Sequence, residues 1–402
     1  MLFDALALQL GYNATLVTIG ATFLGIASGV TGTFLFLRKR ALVSDAISHA
    51  TLPGVGLAFI VMVMLGGDGR NLPGLLFGSA VSATLGLLIV NWLTRRTRLA
   101  EDAAIGAVLS VFFGFGIVLL TVIQSMSSGR QAGLEGFLLG STAGMLWSDA
   151  VVIAVGGAAT LLAVLTFRRP MALVAFDPEF AAASGLKVGQ IDLIIMGLAM
   201  AVTVVGLKIV GLILIVAMLI IPPVTARFWT DRTDYVAAIA GLVGGISGYI
   251  GAAISASAPS FPTGPIIVLV SFTIFAVSLV LAPNRGILAA LIRHVRFQRR
   301  VHMRQGLLAL AQGQPIYERL TLNLLRRAGL ARADGVATET GRARAAKALR
   351  DEKRWEVVRS DRQHEGAAAL YDGLREIETV LTVDQISEID RRIGGPKEAV
   401  AP

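Results

Sequence analysis

In the run RKRALVSDAISHATLPG at residues 38–54, a carboxylate and an imidazole stand four residues apart, as Asp45 and His49. On a helix that spacing brings both side chains to one face and lets them converge on a common point. The plainer alternative is a mutually satisfied Asp–His hydrogen bond that locks two helices together. His49 is the only histidine before His294, and an ionisable pair inside an apolar stretch is costly unless partnered, which makes it a functional candidate.

The surroundings of the pair are strongly apolar. The 402-residue chain is 54% hydrophobic and only 16% charged, with a mean hydropathy of +0.71. Soluble domains carry about 25% charged residues, so a wholly soluble enzyme is excluded. Charge is also unevenly spread: residues 1–284 hold 14 Lys+Arg and 12 Asp+Glu, whereas residues 285–402 hold 22 and 15. Two regions with two different solvents are expected. Cysteine is absent, which removes disulfides, iron–sulfur clusters, thiolate zinc sites and cysteine nucleophiles.

A hydrocarbon core of about 30 Å needs about 20 apolar residues per helix. Such runs predict spans near 13–37, 44–65, 72–93, 103–123, 147–167, 191–206, 208–225, 235–255 and 264–282. Basic clusters at Arg38–Arg40, Arg95–Arg98, Arg168–Arg169 and Arg285–Arg300 mark the cytoplasmic side. For Arg227 and Arg232 to join them, 191–225 must cross twice, about a turn at Gly206–Lys208. Nine spans follow, with the N-terminus outside and the tail inside. The first apolar run lacks a basic leader and cleavage site and is expected to be retained. Trp92, Trp147 and Trp229 fall at span ends, where indole prefers the headgroup level. Segment 133–146 is short and Gly-rich and is expected to be re-entrant or to lie at the surface. Lys208, between two apolar runs, is expected to snorkel outward.

On the cytoplasmic side, FDPEFAAASGLKVGQ at 176–190 predicts a short helix with Asp177 as N-cap, Pro178 as its first residue and Gly185 at its end. No GxxxxGK[ST] loop occurs in the chain, so ATP hydrolysis is expected only in a separate subunit.

The run RKRALVSDAISHATLPGVGLAF resembles the signature of the manganese/zinc/iron permease family of ABC importers. EDAAIGAVLS at 101–110, LEGFLLGS at 134–141, LKIVGLILIVAMLIIPPVTAR at 207–227 and PTGPIIVL at 262–269 extend the resemblance in order along residues 10–284. It implies an all-α, polytopic permease domain (1–284) in a bacterial inner membrane. It also implies an ABC ATPase dimer beneath, an extracytoplasmic metal-binding protein above and a second permease subunit alongside. Asp45 and His49 match the intramembrane metal-coordinating positions, with Mn(II), Zn(II) or Fe(II) as transported ion and no permanently bound cofactor. Asp102 and Glu135 are candidates to line the same path, although acids at helix N-termini are also favoured by the helix dipole. Asp177, Pro178, Glu179, Gly185 and Leu186 fall where the family docks a coupling helix on its ATPase.

Beyond a basic juxtamembrane linker (285–299), Arg-rich amphipathic helices are predicted near 300–312, 316–328, 339–356 and 366–380. A turn at Ala333–Gly335 is placed to close a two-stranded wing. Residues 300–402 are therefore expected to form a cytoplasmic winged-helix-like domain. LLRRAGLARADG, TETGRARAAKALRDEKRWE and LTVDQISEIDRRIGGPKE resemble metal-dependent regulators of the diphtheria-toxin-repressor type. Glu352, Tyr371, Arg375 and Thr379 stand where those regulators place His or Cys ligands, leaving Glu356 and Glu378, so metal sensing is not implied. Assembly or regulation of transport is the favoured role, with lipid contact through Arg293, Arg296, Arg299 and Arg300 as the next reading. Nucleic acid is not an expected partner.

Three rival readings make different demands. A siderophore or cobalamin permease calls for a wide apolar channel without a coordinating pair. In an ion-coupled secondary transporter the same Asp and His would relay protons. A membrane-tethered regulator would bind DNA through the tail.

Overall fold

In hydrocarbon every backbone N–H and C=O must be paired within its own segment, so apolar runs of membrane length fold as helices. The computed structural model describes residues 2–9, 11–67, 69, 71–126, 147–257, 262–361 and 364–394. The chain divides into two compact units, Met1–Ala289 and Ala290–Pro402.

The first unit is all-helical among the described residues: α1 (Leu2–Leu6), α2 (Tyr12–Leu37), α3 (Ala41–Met64), α4 (Leu72–Arg96), α5 (Glu101–Ser125), α6 (Trp147–Phe176), α7 (Pro178–Ala183), α8 (Val188–Val210), α9 (Leu212–Arg227), α10 (Thr233–Ala256) and α11 (Thr263–Leu281). Eight of these are long and apolar enough to cross a membrane. They match the expected spans within a few residues, with two corrections. The break between α8 and α9 falls at Gly211, whose φ of 76° suits glycine, and not at Gly206–Lys208. As a result α8 has 23 residues and α9 only 16, about 24 Å of helix. Helix α6 runs through Pro170 to Phe176, 30 residues in all, about 45 Å. Glu135 and segment 133–146 lie outside the described residues, as does the side chain of Lys208.

Helices α2 and α10 share the most intimate interface. A Cβ built on Gly25 would overlap the Gly244 carbonyl oxygen, and one on Gly29 would overlap that of Ala240. Backbone therefore meets backbone along this seam, as small residues permit in membranes. Several hydroxyls in the apolar bundle are satisfied by their own helices: Ser28 Oγ donates to Leu24 O at 2.7 Å, Thr33 Oγ1 to Gly29 O at 2.9 Å and Ser48 Oγ to Ser44 O at 2.9 Å. One apolar core joins Val43, Ala46 and Ile47 of α3 to Val108 of α5, Met171 of α6, Ala181 of α7 and Ile195 of α8.

The second unit continues α12 (Ile287–Ala311), so most of the stretch expected as a linker, 285–299, is helical. It then forms α13 (Arg319–Arg327), α14 (Glu339–Ser360), α15 (Glu365–Ala368), a 3-10 turn (Ile377–Thr379) and α16 (Val383–Gly394). The single helix expected at 366–380 is broken. Asp372 Oδ1 accepts the N–H groups of Leu374 and Arg375, and Gly373 takes φ 76°. At the predicted wing, the described residues carry no strand, only an isolated antiparallel bridge between Ala331 and Ala337 around Gly335. Trp355 is fully buried with Val358, Ile377, Leu381 and Ile389, and its indole N–H donates to Arg375 O at 3.1 Å.

Candidate metal pathway

The turn before α3 sets the site. Arg38 caps α2, Lys39 takes a left-handed φ of 59°, and the N–H groups of Lys39 and Arg40 donate to Phe36 O and Leu35 O at 2.9 and 3.0 Å. This is a Schellman motif with lysine where glycine is usual. Five residues on, Asp45 opens the reactive face of α3, and His49 follows one turn later. His49 Nε2 stands 3.5 Å from Asp45 Oδ1. The ring packs edge-on against Phe113 of α5, centroids 5.0 Å apart, while its buried Nδ1 has no hydrogen-bond partner.

From Val43 to Gly56, α3 is buried at every position except Asp45 and His49, whose side chains are 41% and 19% exposed. Asp45 is thus partly open, whereas His49 is packed against α5. Two bonds of about 2.1 Å to one ion place their donor atoms about 3.0–3.4 Å apart, for right-angled to tetrahedral geometry. The observed gap is close to that span. Among the described residues, no group of three or more His, Asp and Glu is positioned to hold a metal.

Asp102 is exposed in the first turn of α5. It lies eleven residues before Phe113, about 16 Å along the helix, and does not converge with Asp45 and His49. Its neighbour Glu101, which the sequence reading passed over, pairs with Arg40 at 3.0 Å. Asp192, the fifth residue of α8, was also passed over. It is 7% exposed and accepts Arg38 Nε at 2.7 Å and Nη2 at 3.0 Å, with Arg40 Nη1 at 3.5 Å. The available signal was a lone carboxylate inside an apolar run, facing three consecutive cations elsewhere in the chain.

Asp177 caps α7 through Phe180 N–H at 2.9 Å, Pro178 is its first residue and Glu179 lies in its first turn. Gly185 at φ 85° ends it, and Leu186 N–H returns to Ala181 O at 3.0 Å. Ala181 is buried, while Phe180 is 58% exposed. The result is a short stub, anchored on one side and bare on the other.

Residues 12–282 match the model of the ABC 3 transport family. The chain is 41% identical over 325 residues to the manganese transport system membrane protein MntC of Bacillus subtilis, covering 81% of this chain and 72% of that protein. An alignment of that length reaches into the second unit. It is 39% identical over 285 residues to the zinc transport system membrane protein TroC of Treponema pallidum, 71% of this chain and 94% of that one. Among solved structures, PsaBC from Streptococcus pneumoniae in complex with Fab aligns with a TM-score of 0.62 at 29% identity, over 74% of this chain and 100% of that chain. With a family match over two thirds of its length and relatives of this similarity, this chain belongs to the ABC 3 transport family.

Proposed function

We propose that the protein is the membrane-spanning permease subunit of an ATP-driven importer that carries a divalent transition metal, Mn(II) or Zn(II), to the cytoplasm. The observation that carries the reading is the Asp45–His49 pair, 3.5 Å apart and the two positions not buried between Val43 and Gly56 of α3. A carboxylate with an imidazole and no thiolate suits these ions. Relatives named for manganese and for zinc support both.

In this reading the ion leaves an extracytoplasmic binding protein and meets Asp45 and His49. A second permease subunit facing the same pair would raise two protein ligands to four. Helix α7, with Asp177, Pro178, Glu179, Gly185 and Leu186, docks on a separate ATPase through the bare face that carries Phe180. Asp102, next to the Glu101 that pairs with Arg40, belongs to the cytoplasmic mouth. Helix α9 makes a ninth crossing that returns the chain to Arg227, which leaves the tail in the cytoplasm of a bacterial inner-membrane protein. We read the tail as a winged-helix-type assembly or regulatory domain in which Glu352, bound by Arg304 at 2.6 Å and Tyr371 Oη at 2.7 Å, is occupied by protein partners.

The test is metal uptake in cells expressing the chain with its ATPase and binding protein. Asp45→Ala and His49→Ala, at parental membrane abundance, are expected to lower uptake of one divalent metal about tenfold or more. Parental uptake in both variants would make the pair structural.

A further inference from the structure

Two arginines and two carboxylates from four helices meet at the basic end of the first unit. Asp192 of α8 holds Arg38, at the end of α2, in a bidentate pair and lies 3.5 Å from Arg40. Arg40, the N-cap of α3, also holds Glu101, the first residue of α5, at 3.0 Å. Each charge faces an opposite one, and Asp192 is nearly buried. Bidentate guanidinium–carboxylate contact is geometrically strict, so displacement of one partner displaces the other.

The network's position gives it a role. On one side, Asp192 follows α7 by nine residues, through a connector stiffened by Leu186 N–H to Ala181 O and Ile191 N–H to Lys187 O at 3.2 Å. On the other, Arg40 starts the helix that carries Asp45 and His49, about 7 and 13 Å further along the axis. Glu101 starts the helix whose Phe113 rests on His49. Both helices that build the pair are thus fastened to the element that follows α7. Asp192 also has two cations within 4.0 Å, and Arg40 two carboxylates. That arrangement offers two discrete pairings rather than one.

We propose that Arg38, Arg40, Glu101 and Asp192 form the transmission between the ATPase-docking helix and the metal pair: movement of α7 and the start of α8 exchanges the arginine partners of Asp192 and shifts α3 against α5. The proposal rests on reading α7 as the docking helix. These four are positioning residues that act through Asp45 and His49 without touching the ion.

The test uses the assembled transporter in proteoliposomes, with ATP hydrolysis, Mn(II) uptake and nucleotide-free Mn(II) binding measured together. Asp192→Asn is expected to bind Mn(II) and hydrolyse ATP within about twofold of the parent, while uptake per ATP falls about tenfold. The charge exchange Arg38→Asp with Asp192→Arg is expected to recover uptake per ATP to within about threefold, and each single change to fail. A parental uptake-to-hydrolysis ratio in Asp192→Asn overturns the proposal, as does a double variant no better than its singles. Should Asp192→Asn fail to fold, the partly exposed Glu101→Gln replaces it, with a fall in the same ratio of about threefold expected and a parental ratio overturning the proposal. Phe180→Ala separates the two readings: ATPase that still co-purifies and drives parental uptake refutes the docking helix, whereas lost ATPase binding beside a parental ratio in Asp192→Asn refutes the transmission alone.

Discussion

At the scale of single residues, the spacing of Asp45 and His49 is longer than a good hydrogen bond and close to what two donors need around one ion. Orientation of the imidazole then matters, and the Phe113 ring is the contact that fixes it. Phe113→Ala is expected to weaken Mn(II) binding by the purified chain about tenfold without lowering its unfolding temperature, measured by competition titration. The pair was legible in the sequence because its four-residue spacing is local. The Arg38–Asp192 contact was not, since its partners are 154 positions apart and a lone Asp near a span end has many uses. Asp102 illustrates the reverse limit, because an acid that opens an apolar helix looks the same in sequence whether it lies beside the pair or a helix length away from it.

At the scale of elements, span lengths were legible because lipid dictates them, and the cap of α7 because Asp-Pro at a helix start has few other meanings. The α8–α9 break was not. Gly206, Gly211 and Lys208 all interrupt the apolar run, and only the backbone shows that Gly211 takes positive φ. The helix expected at 366–380 failed for a similar reason, an Asp-Gly turn at Asp372 hidden among helix-compatible residues. Where the left-handed position falls on lysine instead, it carries a cost. Lys39→Gly is expected to stabilise the chain by about 0.5–1 kcal/mol, seen as a higher thermal midpoint in detergent, and Lys39→Val to destabilise it.

At the scale of the whole molecule, two units meet two solvents and answer to different conditions. In the second unit, Arg354 holds the Asp390 carboxyl below its ordinary range. Burial pushes Glu352 upward, but Tyr371 and Arg304 outweigh it and leave that group low. Both contribute stability that is complete above the unfolded carboxylate values, about 4, and is lost as pH falls through the folded ones. Burial raises Asp351 against the pull of Arg354, so its penalty fades on protonation and offsets part of that loss. Asp372, held low by the N–H groups of Leu374 and Arg375, acts in the same sense as Asp390 and Glu352, and three groups against one predict acid lability. After incubation at about pH 3, pulse-labelling of the full chain by hydrogen exchange is expected to show lost protection across 339–394 while α2 and α10 keep theirs.

The glycine seam between those two helices has a mechanical meaning. Side chains that interdigitate can switch rotamers and let helices slide, but a contact of backbone on backbone has no rotamers to switch. Helices α2 and α10 are therefore expected to travel as one beam, and the transmission proposed above places relative motion between α3 and α5. The chain contains no cysteine, so spin labels can be placed in pairs without background. A pair spanning α2 and α10 is expected to give one narrow distance distribution with and without nucleotide, and a pair spanning α3 and α5 to give two.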